Sequence, residues 1–137
     1  MKLTKLIAII ALFFAANTMS AQATIDKWAA MKTFHEVMAR VYHPVEEGNL
    51  EPLKSFAETL DNKAKELSTK EIPAEFKTKQ LMASVKKLQE QTAMVNKLVK
   101  THAADADLKK AITEAHDTFH GIVGMCTVKS TNKKIFK

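Results

Sequence analysis

Residues 105–126 read DADLKKAITEAHDTFHGIVGMC. Leu108, Ile112, Ala115, Phe119, Ile122 and Cys126 recur here at steps of four and three. That spacing repeats once per helical turn, so these side chains form one stripe down one face of an α-helix. A strand would alternate every second residue, and no such alternation occurs in the stretch. A helix with one apolar stripe must bury it, and matching stripes on other helices are the expected cover.

Three more appear upstream. The first carries Trp28, Met31, His35, Met38, Tyr42 and Val45, widened by Phe34 and Val41. The second carries Leu50, Leu53, Ala57, Leu60, Ala64 and Leu67. The third carries Leu81, Val85, Leu88, Thr92, Val95, Val99 and His102. The chain's three glycines and three prolines fall between or near the ends of these stripes: Pro44, Gly48 and Pro52, then Pro73, then Gly121 and Gly124. Pro44 disfavours helix at His43, Asn49 is the expected N-cap of the second helix, and Asp105 that of the fourth. Long amphipathic helices with short connections favour antiparallel neighbours. The predicted fold is all-α: an antiparallel, up-down-up-down four-helix bundle over residues 24–126.

Residues 1–23 read differently. Lys2 and Lys5 precede the uncharged apolar run Leu6–Ala16, and small residues follow to Ala21 or Ala23. This is the pattern of a cleaved signal peptide, and the run is shorter than the ~20 residues that span a bilayer. With no cysteine at the cleavage site, a lipid anchor is not expected. The predicted location is periplasmic or secreted, without a stable membrane anchor.

Once Lys2 and Lys5 are set aside, 19 of the 21 Lys and Arg remain against 15 Asp and Glu. The small excess is spread out, apart from Lys129, Lys133, Lys134 and Lys137 in a basic tail over residues 127–137. Export and the even spread argue against nucleic acid as a partner. Cys126 is the single cysteine, so no internal disulfide can form.

Histidine placement carries the candidate chemistry. His35 sits in an interior slot of the first stripe, and His116 and His120, four apart, project from one side of the fourth helix. Levels counted from the expected helix ends put His35 beside His116, with Met31 between His116 and His120. A set drawn from His35, His116, His120, Met31, Met38 and Cys126 suits copper or zinc, because neutral imidazole and soft sulfur are good ligands for both. His43 and His102 are expected together at the opposite end, near Glu46, Glu47 and Asp105, as a polar cap. There is no Ser-His-Asp spacing, no glycine-rich phosphate loop and no HExxH, and Glu114 precedes His116 by two rather than three residues. The chain is not expected to be an enzyme.

The segment Ile112-Thr113-Glu114-Ala115-His116-Asp117-Thr118-Phe119 resembles the haem-attachment helix of the cytochrome c-prime family, Cys-x-x-Cys-His-Asp-x-Phe. His116, Asp117 and Phe119 match, while Ile112 and Ala115 stand in place of both cysteines. Ala30-Met31-Lys32 is similar to that family's first helix. The resemblance implies a four-helix bundle binding haem between its first and last helices, and an option to dimerise. It would make His116 the proximal iron ligand, Met31 the distal one, and Ala115 and Phe119 pocket walls. Without the cysteines, the haem would be non-covalent haem b. Three functions stand open: a haem b protein for electron transfer or small-ligand binding, served by a redox partner protein; a copper or zinc carrier or sensor; and a cofactor-free bundle that binds another protein.

Overall fold

The computed structural model describes residues 25–68 and 70–135, with side chains as far as Thr127. The expected signal peptide lies outside the described residues, as do the side chains of the basic tail. The fold is all-α. Four long helices follow in order: α1 (Ala29–Glu46), α2 (Glu51–Lys65), α3 (Lys79–Lys100) and α4 (Asp105–Ile135), with a short 3-10 turn at Ala74–Phe76. No strand occurs among the described residues, and no helix among them is long and apolar enough to cross a membrane.

The stripes read from the sequence are the core. Met31, Phe34, Met38, Val41, Tyr42 and Val45 of α1 are buried together with Leu53, Ala57, Leu60 and Ala64 of α2. Leu81, Val85, Leu88, Thr92 and Val95 of α3 join them, as do all six stripe residues of α4 from Leu108 to Cys126. Trp28 and Phe76 are buried from outside the long helices. Burying each such aliphatic side chain contributes about 1.5–3 kcal/mol before the entropy of ordering is counted. The stripe ends differ from the reading: Val99 is half-buried and His102 is exposed.

Each helix packs against the next, and α1 also meets α4. Between α2 and α3 the contacts run in opposite senses. Gln89 donates to the carbonyls of Ala64 and Leu67 at 2.9 and 2.8 Å. Asn96 donates to Asp61 at 3.2 Å, and Lys100 to Glu58 at 3.1 Å. Ala64 lies in the last turn of α2, where its carbonyl also accepts from Leu67 N–H at 3.0 Å, and Leu67 lies just beyond the helix, so Gln89 ties down the close of α2. Asp61 is buried at this seam, and Lys65 one turn on supplies its cation at 2.8 Å.

Two turns are built the same way. α1 passes through Pro44, contrary to expectation. Pro44 lies in the last turn, so few bonds depend on it, and its carbonyl accepts from Glu47 and Asn49 at 3.1 and 2.8 Å. Gly48, at φ +86°, donates to Val45, and with the Asn49–Pro44 bond this is a Schellman closure. α3 ends likewise: His102 donates to Val99 and Ala103 to Leu98, with His102 at φ 54° in the left-handed position. Glycine occupies that conformation without the Cβ clash a histidine meets. His102→Gly is therefore expected to raise stability by about 1 kcal/mol, readable as a higher urea midpoint. An unchanged or lower midpoint would show that the imidazole has a stabilising role of its own.

The expected caps are displaced. Asn49 sits one residue outside the N-cap of α2 and accepts from Glu51 N–H at 3.1 Å. Asp105 is the first residue of α4 rather than its cap, and it pairs with Lys54 at 3.0 Å. Thr78, which the sequence reading passed over, caps α3 by accepting from Leu81 N–H at 3.2 Å. α4 continues to Ile135, so the segment read as a tail from residue 127 is helical through Ile135.

Candidate histidine site on the α1–α4 seam

α1 and α4 approach each other's backbones over less length than the other neighbouring helices do. The reason is the size of what lies between them. Phe34 and Phe119 meet at 5.7 Å between ring centroids, tilted by 47°. His35 stacks on Phe119 at 5.2 Å and 13°, and Tyr42 stacks on His116 at 3.6 Å and 13°. Rings of this bulk fill the seam and set its width.

The imidazoles gather along the outer edge of this ring stack. His116 and His120 lie one turn apart on α4 and bring their Nε2 atoms to 3.0 Å, a hydrogen bond whose donor and acceptor depend on the ring tautomers. Their rings meet edge to face at 4.4 Å. On α1, His35 is level with Phe119 and His120, while Tyr42 is level with His116. His43 follows Tyr42 and holds Glu46 at 3.3 Å from Nδ1.

Burial pushes the His116 imidazole below its ordinary 6.5, and the nearby His120 pushes further in the same direction. Asp117 and Glu46 oppose that shift, and His43 adds to it. His35 is also lowered, first by burial and then by His120 and His43, against Glu36. Both rings therefore favour the neutral form, the form that coordinates metals. The unfolded chain takes up these protons more readily than the folded one, so acid destabilises the fold. Stability is complete above about pH 6.5 and falls as the pH drops through the folded-state values. Urea midpoints measured in chelator between pH 8 and 5 are expected to fall on the acid side, and less so in a His35→Gln/His116→Gln variant. A midpoint that rises with acidification would contradict the burial of the neutral rings.

Of the residues singled out from the sequence, the structure brings His35, His116 and His120 to one seam. Met31, Met38 and Cys126 are core residues, each at most 2 % exposed, and Ala115 and Phe119 are likewise buried. Among the described residues, no three His, Cys, Asp or Glu side chains meet at one metal-sized point as they stand. His43 and Glu46 were expected with His102 at the far end. Instead they adjoin His116, and His102 serves the α3–α4 turn.

A haem gripped between His116 and Met31 does not fit this arrangement. His116 is level with Tyr42, and Met31 lies eleven residues, about 16 Å, further along α1. Two ligands of one metal ion, each bonded at ~2.0–2.3 Å, cannot stand more than about 5 Å apart. One face of the His116 ring is covered by Tyr42, and its Nε2 is bonded to His120. Searches with this chain matched no protein-family model, no curated protein and no solved structure. The cytochrome c-prime resemblance thus rests on the α4 motif and on Ala30-Met31-Lys32 of α1, and the histidine geometry carries the functional reading.

Proposed function

We propose that this chain is an exported, antiparallel, up-down-up-down four-helix bundle that binds a copper or zinc ion, with His116 and His120 as the chelating pair. One observation carries the reading: the Nε2–Nε2 separation of 3.0 Å. Two imidazole nitrogens bound to the same ion at ~2.0–2.1 Å stand about 3 Å apart. The pair thus has nearly the donor spacing that coordination requires, and an ion would replace the shared proton. The i, i+4 placement fixes both rings on one helical face, and burial keeps His116 neutral. The opposed numbering of contacts across α2–α3 and α1–α4 supports the antiparallel arrangement. The leader-like residues 1–23 support export. A carrier or sensor role suits a site open to solvent along one edge, where His120 is exposed.

The test is dialysis of chelator-treated protein against copper or zinc, followed by elemental analysis, with a parallel absorption titration against haem. About one copper or zinc ion per chain, with no stoichiometric Soret band, is the expected result. A stoichiometric Soret band, or metal content no higher than that of a His116→Ala/His120→Ala variant, would overturn the reading.

A further inference from the structure

At the bundle end where α1 starts and α2 finishes lies an open cleft of about 740 Å³. Lys27, Trp28, Ala29 and Ala30 border it from the start of α1, and Glu66 and Glu71 from the connection after α2. The two borders carry opposite chemistry. Trp28 is 3 % exposed, and its indole N–H has no hydrogen-bond partner. An indole nitrogen is a donor only, and a buried donor without an acceptor is costly. Because Trp28 lines the cleft, an acceptor for that N–H would enter there. The start of α1 adds further donors. Its first bond runs from Lys32 N–H to the Trp28 carbonyl at 3.0 Å, so the N–H groups of Ala29, Ala30 and Met31 have no acceptor one turn back. Trp28 supplies no side-chain cap, and no acidic residue stands in the first turn. A helix start in this condition attracts a carboxylate.

The second border is acidic. Lys27 is paired with Glu75 at 3.5 Å and Glu66 with Lys63 at 2.9 Å. Among the described residues, Glu71 is the carboxylate of the cleft left to meet a cation. Two carboxylates beside the donors repel a simple anion, whereas a ligand that also carries a cation satisfies both borders. We propose that the cleft binds a small zwitterion bearing a carboxylate and a primary ammonium, the chemistry of a free amino acid or a short peptide. The carboxylate accepts from the Trp28 indole and from the first N–H groups of α1, and the ammonium is held by Glu71 with Glu66. The cleft shares no residue with the histidine seam, so this assignment is independent of the metal-binding reading.

The chain has one tryptophan, so a single indole N–H signal reports on the cleft in a nitrogen-15 correlation spectrum. The purified protein is titrated with the standard amino acids, with γ-aminobutyrate and with triglycine, which set the two charges progressively further apart. Acetate and ethylammonium, with one charge each, are the controls. At least one zwitterion is expected to move the indole signal saturably, with a dissociation constant of about 1 mM or tighter, and to bind about tenfold more tightly than either control. Glu66 and Glu71 are exposed, so a Glu66→Gln/Glu71→Gln variant should keep its helicity by circular dichroism and bind that zwitterion about tenfold more weakly. An indole signal that no zwitterion moves would overturn the proposal. So would a control that binds as tightly as the best zwitterion, or wild-type affinity in the variant.

Discussion

Phe119→Ala is expected to cost about 3–5 kcal/mol of folding stability, the range for removing a fully buried phenylalanine. Phe119 is 1 % exposed. It touches Phe34 at 5.7 Å, His35 at 5.2 Å and His120 at 5.4 Å between ring centroids, so its removal opens a cavity in the ring-filled seam between α1 and α4. The loss goes beyond transfer energy, because the ring is also the surface on which His35 is held flat. Urea unfolding followed by circular dichroism reads the effect. Phe119→Leu, which fills much of the volume, should recover more than half of the loss. A cost below about 1 kcal/mol would mean that the helices close over the gap and that the seam is not held apart by its rings.

Removing either member of the α4 pair should have the largest functional effect. His116→Ala or His120→Ala leaves a single imidazole on α4, and a lone exposed or half-buried histidine does not hold copper or zinc against dialysis. Each variant is expected to lose essentially all retained metal. The two differ in stability. His116 is half-buried beneath the Tyr42 ring at 3.6 Å, so His116→Ala should also destabilise the fold, whereas His120 is exposed. Metal loss with an unchanged melt in His120→Ala separates binding from folding. Full metal retention in both variants would remove the pair from the site.

Much of the fold was legible because burial has a period. Every α4 stripe residue from Leu108 to Cys126 is buried, and Met31, Phe34, Met38, Val41, Tyr42 and Val45 line α1 as their spacing requires. Helix ends have no comparable signal. α1 crosses Pro44 and α4 runs past Cys126 to Ile135. Levels counted from assumed ends therefore slide: His35 is expected beside His116 but lies against Phe119, on the level of His120. The same slip hid the contribution of Tyr42, His43 and Glu46. His102 extended the α3 stripe on paper by its spacing, but its left-handed backbone marks the close of a Schellman turn, which a four-residue periodicity cannot register. The flanking position of His116 and His120 was readable from their offset to the apolar stripe. Their meeting at Nε2 was not, because it depends on rotamers set by Tyr42 and Phe119.

The most direct test of the central claim is a nitrogen-15 NMR spectrum of the histidine side chains, recorded while zinc is added to the chelator-treated protein at pH 7.5. The Nε2 signals of His116 and His120 should move together to metal-bound positions and saturate at one zinc per chain, with His102 unchanged. Saturable shifts that leave both of these nitrogens untouched, or no shift in any imidazole, would contradict the account.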